Sequence, residues 1–173
     1  MAVRLKGALE TRKALLQFAP DLAKETTKEI ASFLKPVVKE ARGFLPSNEE
    51  APSGWLKREG AQGRWANRYY DETEARRGIS YRTSPSKENR RGFVALASII
   101  NKGAAGAIYE TAGRKSGITG NFSPRLGGEL KGRGQKMTGR AMFRAFEQDQ
   151  GKATVGVVRA IEKAEAKFKR RTR

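Results

Sequence analysis

The side chains of this chain leave few kinds of chemistry open. Among 173 residues there is no histidine and no cysteine. Missing with them are the usual zinc, copper and haem ligands. So are the commonest general base near neutral pH and every Ser–His or Cys–His nucleophile pair. Carboxylate pairs remain, at Glu49 with Glu50 and at Glu72 with Glu74. Each lies in polar, loop-like sequence, where nothing forecasts the burial that raises a carboxyl pKa for acid–base work. Magnesium needs only oxygen ligands, so a site of Asp and Glu alone stays open in principle, but no carboxylate spacing here supports one. Gly132-Arg133-Gly134 opens a GxG, but Met137 stands where the third glycine of GxGxxG belongs, and no GxxxxGK[ST] motif occurs. The expectation is a protein that is not an enzyme and that carries no cofactor and no catalytic or metal-ligating residue.

Charge is the stronger signal. The 36 Lys and Arg outnumber the 18 Asp and Glu, for a net +18. A surplus of this size implies a polyanionic or acidic partner, or avoidance of self-association. It is spread along the chain, whereas a sequence-specific DNA reader concentrates it on one recognition element. Only residues 44–56 are net acidic, through Glu49 and Glu50. Residues 113–139 hold 8 glycines and the basic Arg114, Lys115, Arg125, Lys131, Arg133 and Lys136, against Glu129 alone. Such a stretch reads as a loop, and a loop of this length is functional or disordered. Its cations, and the pairs Arg64-Trp65 and Arg68-Tyr69, could meet phosphates while rings stack on bases. Trp65 and Tyr69 are read first as core or subunit contacts. The basic tail at 167–173 suits solubility or contact with an acidic surface equally well.

Positioning these residues falls to a helix–sheet–helix order. Leu5, Ala8, Leu9, Leu15 and Leu16 repeat near every 3.6 residues and predict a helix over 4–18. Pro20 interrupts it and can open another. Leu22, Ile30, Phe33, Leu34, Val37, Val38 and Ala41 predict a second helix over 21–43, kinked at Pro36 and stopped at Gly43. Pro46, Pro52, Ser53 and Gly54 mark a loop. Ile79 to Thr83 alternates like a strand, and Phe93 to Asn101 is an apolar run suited to a buried one. Met142 to Phe168 carries a helical face that Gly151 divides. The pattern predicts one α+β domain over 1–173, with N-terminal helices, a small mostly antiparallel sheet and a long C-terminal helix. No run of about 18 apolar residues exists, so no membrane partner is expected. The start lacks the apolar core of a signal peptide, and synthesis in a cytoplasm is expected.

Three segments carry a resemblance. Leu34-Lys35-Pro36-Val37-Val38-Lys39-Glu40-Ala41-Arg42 leads through Pro46 to Ser53-Gly54-Trp55-Leu56. Later come Arg91 to Asn101 and Ala107-Ile108-Tyr109-Glu110-Thr111-Ala112-Gly113. In this order, with a variable loop and a closing helix after them, they resemble the neck or tail-completion proteins of long-tailed bacteriophages, in the version found in phages of actinobacteria. The chain departs from that pattern in its longer 57–78 and 113–139 stretches, and in the two residues between Glu110 and Gly113. The resemblance implies a virion protein, assembled in the host cytoplasm, that forms a ring at the head–tail junction around the DNA channel. Its partners would be copies of itself, in a hexamer matching the sixfold tail or a dodecamer matching the portal. Further partners would be a head connector, adaptor or stopper protein and the tail terminator or tail tube. Candidate subunit contacts are Trp55, Trp65, Tyr69, Tyr109 and Glu110; candidate partner or DNA-channel contacts are the six cations of 113–139. A tail terminator of the same junction and a non-specific DNA-binding protein are the alternatives.

Overall fold

A computed structural model describes residues 8–51, 55, 69–90, 92, 94–111 and 139–172. The chain is α+β, with six helices and one two-stranded antiparallel sheet among the described residues. In order these are α1 (Ala8–Phe18), α2 (Pro20–Gly43), α3 (Glu72–Gly78), β1 (Ile79–Arg82), β2 (Ser98–Asn101), α4 (Ala104–Thr111), α5 (Met142–Gln148) and α6 (Lys152–Arg171). They pack as two compact units. The first comprises residues 1–36, 81–99 and 149–173; the second comprises 37–80 and 100–148.

In the first unit, Pro20 opens α2, where a missing N–H costs nothing. The backbone ladder runs on around it, since Ala19 N–H donates to Leu15 and Ala23 N–H to Ala19. Leu15, Ala19, Leu22, Ala23 and Ala164 form a core cluster, with Phe168 packed against it. Small residues let α6 approach closely: its buried face is Ala153, Gly156, Val157, Ala160, Ile161 and Ala164. Over Gly156 lies the Phe33 ring, which would collide with a Cβ there. Gln150 and Gly151 adopt positive φ of 51° and 82° and turn the chain into α6. Asp149 then caps it by accepting from Ala153 N–H at 2.7 Å. Arg12 of α1 donates to the carbonyls of Leu96 and Thr83, tying down the segment around the strands.

Two expectations are corrected within these elements. Glu72 and Glu74 sit in the first turn of α3, not in a loop. Asp71 caps that helix by accepting from Glu74 N–H at 2.7 Å. Among the described residues of the apolar run 93–101, only Ser98–Asn101 form strand, because the partner β1 is itself only 4 residues long. Helix α2 runs from Pro20 to Gly43 with Pro36 inside it, as expected. That ring faces solvent, as does Ser32, whose carbonyl would have bonded the missing N–H.

The second unit is organised by backbone groups paired with side chains. Arg42 Nε and Nη2 both donate to the Ile79 carbonyl, at 3.1 and 2.7 Å. Helices α3 and α4 pack where Gly78, Gly103 and Gly106 surround the Asn101 amide, leaving no room for a Cβ at Gly78 or Gly106. Tyr70 N–H donates to Trp55 O at 2.7 Å, and its hydroxyl donates to Pro46 O at 2.6 Å.

Candidate functional site

The expected site residues divide sharply. Arg114, Lys115, Arg125, Lys131, Arg133, Lys136 and Trp65 lie outside the described residues. Trp55, Tyr69, Tyr109 and Glu110 lie within them, all in the second unit.

Glu110, near the end of α4, is the most constrained of the four. It is 2% exposed, and its carboxylate receives three backbone N–H groups at the start of α5. Oε2 accepts from Ala141 at 2.7 Å and from Met142 at 3.1 Å; Oε1 accepts from Phe143 at 3.0 Å. These are donors that a helix N-terminus leaves without an intrahelical partner, and the helix dipole favours an anion there. Beside it, Arg140 donates to the Tyr109 carbonyl at 2.5 Å and stands over the Tyr109 ring, 5.7 Å from its centroid. Gly139 is required for this approach, since a Cβ would strike the Glu110 carboxylate. The carboxylate that could have served as a base is thus spent as the cap of a helix 31 residues further on.

Trp55 is 6% exposed and packs on Tyr70, ring centroids 5.0 Å apart at 52°. Burial, and then the nearby Glu72 carboxylate, push the Tyr70 hydroxyl well above its ordinary pKa of 10. Tyr109 is close enough to add to that shift. Tyr69, beside Tyr70 in the chain, is half-buried. Of the expected subunit contacts, Trp55 and Glu110 are buried within this unit, while Tyr69 and Tyr109 are half-buried. Among the described residues, no three Asp or Glu side chains converge as metal ligands, and no helix is long and apolar enough to cross a membrane.

One charged arrangement in the first unit corresponds to no sequence motif. Arg171 of α6 pairs with Asp21 of α2 at 2.7 Å, Lys167 with Glu25 at 2.5 Å, and Lys163 with Glu29 at 3.0 Å. The hydrogen-bonded cation holds the carboxyls of Asp21 and Glu25 below their ordinary values. Acids four apart on α2 meet bases four apart on α6, so the seam fixes two antiparallel helices in register. Spacing alone could have shown each half, but not the pairing across more than 130 residues.

No protein-family model, no curated protein and no solved structure matches this chain.

Proposed function

We propose that this is a structural protein of the phage neck, forming a ring that joins the head connector to the tail and surrounds the DNA channel. The observation that carries the reading is the order of parts. A long helix ends at Gly43, the chain turns through Pro46 to the Trp55–Tyr70 bridge, and the apolar-Glu segment of α4 precedes a closing helix. Glu110 adds support from chemistry. In the segment that resembles the family, the acidic residue fastens one helix to another, as a scaffold requires and a catalytic carboxylate does not. A ring subunit needs self-contacts that close on themselves, and no reacting group.

The test is electron microscopy of lysates from a phage whose copy of this gene carries an early stop codon. Filled heads beside separate tails are expected. Tubes of irregular length would move the protein to the tail-terminator position. Intact, infectious virions would overturn both positions.

A further inference from the structure

We infer that the face of the first unit built by α2 and α6 binds the phosphate backbone of duplex DNA without reading its sequence. This stands on the geometry of that unit and does not depend on the neck reading.

Along α2, Lys24, Lys28 and Lys35 are exposed. Their spacing of four and then seven residues places all three within about 40° of one another on the helix. They span 11 residues, about 17 Å of helix axis. That is the rise of about five base pairs, so each ammonium can address a different phosphate. None of the three takes part in an ion pair among the described residues. Their neighbours Asp21, Glu25 and Glu29 would weaken the row if free, but the seam to α6 neutralises all three.

The same seam sets a second row beside the first. On α6, Arg159 and Arg170 lie four residues before and seven after Lys163, hence on its face, and both are exposed. Over residues 20–36 and 152–171 together, ten Lys and Arg stand against five Asp and Glu. Four of the ten pair with acids, three across the seam and Lys169 with Glu165 within α6, and the other six are exposed.

The occupant follows from the residue types. Protein interfaces are depleted of lysine and rely on buried aromatic or arginine anchors. These rows carry no aromatic side chain, and the exposed residue between Lys28 and Lys35 is Ser32. Ammonium groups are compact, strongly hydrated point charges on flexible stems, suited to phosphates of varying position. Lys24, Lys28 and Lys35 carry no planar donor pair that could read a base edge, so the binding they supply is independent of sequence.

The experiment is fluorescence anisotropy of a labelled mixed-sequence duplex with the full chain, across a series of salt concentrations. The triple variant Lys24→Ala/Lys28→Ala/Lys35→Ala should weaken binding on the order of tenfold or more at low salt. It should also flatten the slope of log K against log salt by about 2.7, at ~0.9 per phosphate contact. A reference triple at other exposed cations of the unit, Lys13→Ala/Lys87→Ala/Arg90→Ala, should move the slope by less than a third of that. The charge-conserving Lys24→Arg/Lys28→Arg/Lys35→Arg should bind like the parent, which separates lost contact from lost folding. Equal losses in the two alanine triples would overturn the assignment. So would a parent chain that does not bind duplex, or polyglutamate displacing DNA as well as unlabelled duplex does.

Discussion

Removing the Glu110 carboxylate should cost the second unit more than any exposed substitution. In Glu110→Ala, the N–H groups of Ala141, Met142 and Phe143 lose their acceptor together. Loss of a helix cap costs about 1 kcal/mol. Leaving the buried Ala141 N–H unpaired adds about 1–2 kcal/mol. The vacated methylene space adds about 1 kcal/mol. The three together come to roughly 3–4 kcal/mol, a fall in Tm of about 10 °C for a chain of this size. Glu110→Gln separates the two oxygens. An amide oxygen in the Oε2 position still serves Ala141 and Met142, but an NH2 then opposes Phe143 N–H, for a loss of about 2 kcal/mol. Thermal melts followed by near-ultraviolet circular dichroism, with guanidinium titrations beside them, would rank parent, Gln and Ala. If Glu110→Ala melts within about 1 °C of the parent, the carboxylate does not hold the two helices as described.

Further expectations concern the first unit and the pH limits. Gly156→Ala should destabilise by about 1–2 kcal/mol despite the better helix propensity of alanine, because the new Cβ must displace the Phe33 ring; a guanidinium midpoint measures it. Arg12→Ala removes both bonds to the Leu96 and Thr83 carbonyls and should cost about 2–3 kcal/mol, with hydrogen exchange rising selectively in residues 83–96. The depressed carboxyls of Asp21 and Glu25 contribute stability above their ordinary values of 3.8 and 4.5 and lose it as the pH falls below them. A pH series should therefore show the α2–α6 seam weakening in acid, and Asp21→Asn should flatten that response. Tyr70 has the opposite sign: its contribution is whole below pH 10 and declines as the pH climbs from there, so Tyr70→Phe should blunt alkaline unfolding.

Local periodicity carried most of the helical framework. The stripes of α2 and α6 were readable because each helix buries one continuous face over at least three turns, whereas α1 buries only Ala8 and Leu15 and leaves Leu16, expected on its stripe, 69% exposed. Pro20 and Gly151 marked boundaries by their own backbone preferences. Helix α3 was missed because 7 residues, four of them charged, cannot display a stripe. Its signal was there nonetheless, as Asp71 followed three residues later by Glu74, a capping pattern. The role of Glu110 was not legible, since its partners lie more than 30 residues away and offer only backbone N–H groups, which no side-chain motif records. The phosphate-facing rows were half legible. Lys24, Lys28 and Lys35 show their spacing in the sequence, but only the pairing of Asp21, Glu25 and Glu29 with α6 shows that those lysines stand clear of acids.

The core of the first unit also bears on the order in which the chain becomes stable during synthesis. Leu15, Leu22 and Ala23 are made early, yet the cluster that buries them is completed by Ala164 and Phe168, the work of the last helix. All three carboxylates of the seam likewise await cations at 163, 167 and 171. Until α6 leaves the ribosome, α1 and α2 present an apolar stripe and unneutralised acids with nothing to cover them. A ribosome-bound chain stopped before residue 152 should therefore be a chaperone client, and release of α6 should end that dependence. The first unit therefore reaches its folded state only after residues 152–171 have been translated.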